Sequence, residues 1–360
     1  MDGHLGYEKH SPEGINSGNS RNGKISKTVK TTLGEIELEV PRDRNSSFEP
    51  VLIPKRSRKV EAIEDLIISL YAKGMTVRDI ETQIREVYGY NISDATISNV
   101  TSKVQTLITE WQSRPLSSVY FVVWMDGIVF KVRQNGKVIN KTIYLAVGLN
   151  SEGHKEMLGM WLGENESASF WMSVLTDMRS RGVEDILITS TDNLKGFTEA
   201  IVSIFPQSVT QICVVHQIRN ASRYVVWKDK KEFAADLKTV YTAANKELAW
   251  TALEALEETW GKKYPHAIKS WKANWADLSH FFDFPLEIRT MIYTTNIIEN
   301  LNGKIRKYTK AKLSFPDDAS VLKSVFLALR EITKKWTLPV RNWNLLVNQF
   351  INIFGERCKI

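Results

Sequence analysis

The chain reads as a mixed α/β protein with helical stretches on both sides of a strand-rich middle. Three observations predict this. From Val119 to Leu162, apolar and β-branched residues run in strand-length segments separated by turn signals. From Asn165 to Val215, helical patterns alternate with two short β-branched runs, Ile186–Ser190 and Val209–Val215, as buried parallel strands do. Before and after this region, Glu61–Glu110 and Gln217–Ile292 carry apolar residues at helical spacing.

Met1 to about Gly23 is rich in Gly, Ser, Asn and charge, with few apolar groups to offset the entropy of ordering, so a mobile arm is expected. Lys27–Val40 alternates, with Ile36, Leu38 and Val40 set between glutamates, and Leu33-Gly34 supplies the turn of a small hairpin. Pro41–Pro54 lacks periodicity and reads as a linker, followed by the basic cluster Lys55, Arg56, Arg58 and Lys59.

Three helices are then predicted: Glu61–Lys73 ended by Gly74, Thr76–Tyr88 ended by Gly89, and one capped by Ser93 and running from Thr96 to Glu110. Short helices joined by tight glycine turns suggest a helix-turn-helix, whose last helix would present Thr96, Ser98 and Asn99 to a DNA groove. A plain three-helix packing module remains the alternative. Residues 50–115 hold nine basic and eight acidic side chains, so phosphate attraction must come largely from elsewhere.

Strands are predicted at Val119–Met125, Lys137–Leu149 and Lys155–Leu162, with turns at Asn135-Gly136 and Ser151–Gly153. Asn165–Ser167 caps a helix to about Arg181, Ile186–Ser190 is a strand, Leu194–Phe205 a helix and Val209–Val215 a strand. Five strands with intervening helices make a three-layer core. Gln217 to about Ile292 follows as amphipathic helices with Trp227, Trp250, Trp260, Trp271 and Trp275, expected to be mostly core, and Lys334–Phe354 is a helix-turn segment.

Composition bounds the class. The 360 residues are 43% hydrophobic and 25% charged, enough for one large core and smaller domains. Two cysteines, Cys213 and Cys358, exclude a disulfide framework. No apolar signal core or run of about 18 apolar residues occurs, so an intracellular chain with no transmembrane helix is expected. The net charge of +7 and pI near 9.1 suit a polyanionic partner. The surplus sits at the C-terminal end, where residues 301–360 hold twelve Lys or Arg against four Asp or Glu.

Three carboxylates stand at informative places. Asp126 follows the first strand, although Asp126-Gly127 between apolar strands is also a strong hairpin signal. Asp192 follows the strand Ile186–Thr191, where ligands of open α/β sheets collect, or else caps the next helix. Glu299 lies between Ile298 and Leu301 on a helical pattern, where a solvated glutamate is the alternative. None of them singly implies an enzyme.

Taken together, Met125-Asp126-Gly127, Thr191-Asp192-Asn193-Leu194-Lys195-Gly196-Phe197, Gln211–Asn220 with Cys213 and His216, and Tyr293–Asn302 resemble the blocks of Mutator-type bacterial insertion-sequence transposases. The likeness runs from about Arg21 to Phe354 and includes Gly163–Ser167 and Lys335-Trp336-Thr337. It departs from the family pattern at Asn193, where glycine is usual, and at Ile297 and Asn300, where small residues are usual. Asn193 tolerates positive φ and so could serve the same turn.

The resemblance implies a ribonuclease-H-like mixed-sheet catalytic core interrupted by an all-helical insertion and preceded by a helix-turn-helix-type domain. The expected organisation is 1–54 arm, hairpin and linker; 55–115 helical DNA-binding domain; 116–216 first part of the core; 217–292 insertion; and 293–360 core completion with a basic C-terminal region. Asp126, Asp192 and Glu299 would be the catalytic, metal-binding triad of a DDE transposase, taking two divalent ions, Mg²⁺ or Mn²⁺, for DNA cleavage and strand transfer. Cys213 and His216 form the spaced pair that accompanies this triad. By themselves they are half of a zinc site, and a buried cysteine with a hydrogen-bonded histidine is the expectation, with no zinc.

Lys195, Arg219, Lys304, Arg306, Lys307, Lys310 and Lys312 are expected to hold DNA phosphates, a solvated helix face being the alternative for the last five. The implied partners are double-stranded DNA, as terminal inverted repeats and target, and further copies of the chain in a homodimer or larger assembly. The implied location is the bacterial cytoplasm, at the nucleoid. A DNA-binding regulator that catalyses nothing is the rival reading.

Overall fold

The computed structural model describes residues 1–31, 34–50, 61–89, 91–164, 167–193, 196–293 and 296–359. The predicted turn residue Leu33, the cluster Lys55, Arg56, Arg58 and Lys59, the cap residue Asn165, and Lys195 lie outside them.

In chain order the elements are α1 (Asp2–Leu5), β1 (Arg21–Thr31), β2 (Gly34–Asp43), α2 (Glu61–Ala72), α3 (Val77–Tyr88), α4 (Asp94–Ser102), α5 (Val104–Ser113), β3 (Val119–Gln134), β4 (Lys137–Leu149) and β5 (Lys155–Gly163). Next come α6 (Ala168–Ser180), β6 (Asp185–Thr191), α7 (Phe197–Ile204), β7 (Val209–Ile212), α8 (Val214–Ser222), α9 (Lys230–Tyr241), α10 (Lys246–Trp260) and α11 (Pro265–Ala273). The remainder are α12 (Trp275–Leu278), α13 (Leu286–Ile292), α14 (Asn296–Thr309), α15 (Asp318–Thr333) and α16 (Trp343–Phe354). No helix among the described residues is long and apolar enough to cross a membrane.

The chain divides into two compact units, one of Met1–Trp111 with Ile305–Leu329 and the other of Gln112–Lys304 with Arg330–Ile360. In the first, β1 and β2 pair antiparallel from Arg21↔Asp43 to Thr31↔Gly34, a longer hairpin than the alternation alone predicted. Residues 1–20, expected to be mobile, fold back on its open end: the Tyr7 hydroxyl donates to Asn19 O at 2.9 Å, and the Arg21 guanidinium stacks on the Tyr7 ring. Buried Asp43 accepts from Asn19 Nδ2 at 2.7 Å and from the Ser47 and Phe48 N–H groups at 3.0 Å.

Thr76 and Asp79 form a reciprocal capping box at the start of α3, and Gly89 ends that helix in a left-handed conformation, as predicted. Ser93 caps α4 through the Thr96 N–H. The single helix expected from Thr96 to Glu110 is two helices, α4 and α5, broken at Lys103. Short polar side chains explain the break, because the Thr101 and Ser102 hydroxyls both turn back onto the Ser98 carbonyl and compete with the helical ladder.

The second unit is a mixed α/β structure around a five-stranded sheet of order β5-β4-β3-β6-β7, with the first three strands antiparallel and β3-β6-β7 parallel. β3 does not end at Met125; it continues to Gln134, and the hairpin turn falls at Asn135-Gly136, both at positive φ, 50° and 75°. The Asp126-Gly127 signal is overridden because both residues pair within the β3–β4 ladder, with Leu145 and Tyr144. Glycine is needed at 127 for another reason: a Cβ there would lie 2.6 Å from Thr142 Cγ2.

One core cluster joins Tyr120, Val123 and Met125 of β3 to Trp171, Leu175, Phe197 and Phe205 of the α6–α7 layer. Trp171 is fully buried and meets Tyr144 and Phe197 edge-to-face at 4.8 Å. Phe121 of the same strand instead meets Phe350 of α16, ring centroids 5.0 Å apart.

β7 stops at Ile212, short of the predicted Val215. Val214 and Val215 belong to α8, although their β-branched run reads as strand. The helices expected after the sheet are present as α8–α13. Their tryptophans divide: Trp260 and Trp271 are buried, Trp250 and Trp275 are half-buried and meet at 5.3 Å, and Trp227 is 87% exposed on a short 3₁₀ turn.

Candidate functional site

Strand register builds the centre of the site. Met125 of β3 stands opposite Thr191 of β6, and Thr191 stands opposite Ile212 of β7. The next residue in each segment is Asp126, inside the long β3, and Asp192 and Cys213, just past the ends of β6 and β7, so the register brings the three residues abreast. The Cys213 N–H donates to Thr191 O at 2.8 Å and holds this alignment as β7 gives way to α8.

The fourth member arrives from distant sequence. The Trp124 indole donates to Met291 O at 3.3 Å, the Ser190 hydroxyl to Ile292 O at 3.0 Å and the Val214 N–H to Tyr293 O at 3.0 Å. These bonds fix the approach to α14, whose first turn carries Glu299 while Ile298 and Leu301 are buried.

His216, in the first turn of α8, joins the carboxylates. Its Nδ1 lies 2.5 Å from Asp192 Oδ1 and its Nε2 lies 3.2 Å from Glu299 Oε1. Arg219, one turn later, makes a forked contact with the same glutamate, at 2.5 Å to Oε1 and 3.2 Å to Oε2. The Asn302 amide, one turn beyond Glu299, donates to Asp126 Oδ2 at 2.6 Å, while its own Oδ1 is buried and has no hydrogen-bond partner among the described residues. Asp126 also accepts from the Gly127 N–H at 2.7 Å.

Electrostatics follow from this crowding. Burial, and then the nearby Asp192 charge, push the Asp126 carboxyl well above its ordinary range. Burial disfavours the imidazolium of His216, but hydrogen bonds to Asp192 and Cys213 and their charges outweigh it and raise His216 to about 10. The fork onto Glu299 raises the Arg219 guanidinium further. The site is thus a set of carboxylates held together by two cations.

Asp126, Asp192, Glu299, Cys213, His216 and Arg219 are therefore brought into one neighbourhood. Asp192 does not cap a helix, since α7 begins at Phe197 with Gly196 at its N-cap. Asn193 is not among the positive-φ residues, whereas Gly196 is, with φ 77°. Cys213 is fully buried at the N-cap position of α8 rather than within a strand. One donor atom from each of Asp192, Cys213 and His216 lies within 4.8 Å of the others, a threefold grouping that the Cys213–His216 pair alone did not suggest.

Arg219 was expected on phosphate; here it is exposed but engaged with Glu299. Lys304, Arg306, Lys307 and Lys310 are exposed on or just after α14. Lys312 departs from that group: it packs over the Tyr71 ring, 3.9 Å from its centroid, and donates to Ser324 Oγ at 3.0 Å. On α4, Ser98 and Asn99 are exposed, whereas Thr96 is half-buried and its hydroxyl lies 2.9 Å from that of Ser93. Asn302 was missed as a site residue, although its place three residues after Glu299 on a helix puts both on one face.

The class emerges from comparison with known proteins: it is that of the transposases. Over 358 residues the chain is 42% identical to the transposase for insertion sequence element ISRM3 of Rhizobium meliloti, covering 99% of this chain and 89% of the relative. It is 36% identical to the transposase for insertion sequence element IS905 of Lactococcus lactis, covering 88% and 81%. It is 26% identical to the transposase for insertion sequence element IS256 in transposon Tn4001 of Staphylococcus aureus, covering 91% and 85%. More narrowly, the family described as transposase, Mutator family, matches residues 1–338, and the chain belongs to that family.

Proposed function

We propose that the chain catalyses metal-dependent cleavage and strand transfer of the DNA of an insertion sequence, with Asp126, Asp192 and Glu299 as a DDE triad. The observation that carries this reading is the register that sets Asp126 and Asp192 side by side, with Glu299 joined to Asp192 through His216. In this reading the sheet is a ribonuclease-H-like core, with which three antiparallel and two parallel strands are compatible, and α8–α13 are its helical insertion. Helices α2–α4 act as the helix-turn-helix domain that binds terminal inverted repeats, presenting Ser98 and Asn99. Pairing of two element ends calls for a homodimer or larger assembly in the bacterial cytoplasm.

The oxygen chemistry of the residues suits a hard divalent cation, and because the donors within 4.8 Å of one another among the described residues are those of Asp192, Cys213 and His216, Asp126 and Glu299 must close on Asp192 to share an ion. Asp126, Asp192 and Glu299 offer carboxylate oxygens on rigid elements, the buried Asn302 Oδ1 is a further oxygen donor, and a positive ion would offset the burial and then the Asp192 charge that raise Asp126. Mg²⁺ or Mn²⁺ held by the three carboxylates supplies Lewis acidity at the phosphodiester, for both the attacking and the leaving oxygen.

The protein's own part is positioning and charge. His216 stands between Asp192 and Glu299, one ring nitrogen against each, and so fixes the separation of two carboxylates from different elements. Arg219 aims Glu299 and keeps a guanidinium where a phosphate would approach. Lys304, Arg306, Lys307 and Lys310 add exposed positive charge for the DNA backbone.

The test is cleavage of labelled DNA carrying the element's ends, with Mg²⁺ or Mn²⁺, by wild type and by Asp126→Asn, Asp192→Asn and Glu299→Gln. Wild type is expected to nick and join, and each variant to bind DNA yet lose at least about 10³-fold in rate. A wild type that binds and never cuts would instead make the chain a non-catalytic regulator. Full activity in any one variant removes that residue from the triad.

A further inference from the structure

A cavity of about 580 Å³ lies in the first unit, walled by Tyr71 of α2, Thr76 at the cap of α3, Ser98 and Ser102 of α4, and residues 311–317 with Ser320 and Lys323 of α15. Lys312 and Lys323 both line it, and residues with hydroxyl groups make up most of the other polar lining. Both lysines are half-buried, and among the described residues neither has a carboxylate within ion-pair distance.

One carboxylate, Asp317, shares the cavity wall and its charge acts on Lys323, as that of Asp79 acts on Lys312, but neither reaches a lysine as an ion pair and both hold backbone N–H groups. Asp317 accepts from the Ser320 N–H at 2.7 Å at the start of α15, and Asp79 accepts from the Thr76 N–H at 2.9 Å. Lys312 is held by the Tyr71 ring and Ser324 Oγ, both neutral. Partly buried charges are normally paired, because desolvation without a counter-ion is costly. Burial, and then the charge of Lys323, press Lys312 down to about 8, and burial lowers Lys323 as well. Two lysines against one carboxylate, Asp317, leave the cavity wall net positive, and although the Thr101 and Ser102 hydroxyls are spent on Ser98 O, the setting is one that a tetrahedral oxyanion completes.

We propose that this cavity is a phosphate-binding pocket that seats one backbone phosphate of duplex DNA alongside α4. A phosphodiester is favoured over a free phosphate because Ser98 of the pocket wall is exposed on the helix assigned to the DNA groove, so the inference rests on that assignment. The pocket would supply part of the phosphate attraction that the nearly balanced charge of residues 50–115 does not.

The experiment uses the full chain and a labelled random-sequence duplex titrated across a potassium chloride series, for wild type, Lys323→Gln and Lys312→Met. Thermal melting with and without inorganic phosphate is run in parallel. Each variant is expected to melt cooperatively, bind duplex more weakly and lose about 0.9 from the slope of log affinity against log salt, the share of one phosphate. An unchanged slope in Lys323→Gln, cooperatively folded, overturns the proposal. If inorganic phosphate then still stabilises wild type but not Lys323→Gln, the pocket belongs to a free phosphate and the DNA assignment of this cavity is wrong. A wild type with no salt-dependent duplex binding overturns the DNA-binding reading itself, a result distinct from a pocket that fails alone.

Discussion

The two units place their charged groups by different means. In the second, backbone register does the work: hydrogen bonds along β3, β6 and β7 set Asp126, Asp192 and Cys213 in line before any side chain is considered. In the first, side chains do it, through the Thr76–Asp79 capping box, the Asn19 and Ser47 bonds to Asp43, and the Lys312 seat on Tyr71. A ladder fixes geometry to fractions of an ångström and tolerates surface substitution; a set of caps and single ion contacts responds to each polar residue it loses. Catalytic carboxylates need the former kind of support.

The largest expected effect concerns the packing under the ladder. Trp171→Ala empties the centre of the α6–α7 layer, where Tyr144, Phe170 and Phe197 all meet its ring, and should lower the stability of the second unit by about 3–5 kcal/mol. Denaturant unfolding followed by fluorescence measures this. A loss below about 1 kcal/mol would mean that the ladder stands without its aromatic support.

A smaller effect separates the units by pH. Lys312 ionises at about 8 in the folded chain against 10.5 when exposed, so folding disfavours its charged form, with Tyr71, Lys323 and Asp79 around it. That penalty is complete below pH 8, and stability should rise as pH increases from 8 toward 10.5, by on the order of 2 kcal/mol. Melting curves in phosphate-free buffer should show the rise in wild type and a flatter profile in Lys312→Met. Parallel profiles would show that the lysine is not buried as described.

Much of this was legible in the chain. The Asn135-Gly136 turn, the strands from Lys137 and Lys155, and the caps at Ser93 and Ser167 follow from local chemistry, and each occurs. Local signals misled where tertiary pairing overrode them. Asp126-Gly127 has the composition of a turn yet lies inside a 16-residue strand, because β4 offers a partner to every residue through Gln134. Val214 and Val215 look like strand yet start a helix, with the Val214 N–H taken by Tyr293 O.

For the site, four motif blocks named the residues but not their contacts. Register cannot be read from one strand, so the adjacency of Asp126 and Asp192 was invisible. The pairing of Arg219 with Glu299 joins residues 80 apart in sequence, and no periodicity links them. Asn302 was within reach of helical spacing, but its bond to Asp126 depends on how α14 meets the sheet.

The central claim is that these carboxylates form one divalent-cation site. Titration of Mn²⁺ into the full-length chain, followed by electron paramagnetic resonance of the free ion, tests it without DNA. Wild type should bind Mn²⁺, and Asp192→Asn, flanked by both Asp126 and His216, should lose most of that binding while melting as a folded protein. Equal binding by wild type and Asp192→Asn would contradict the account.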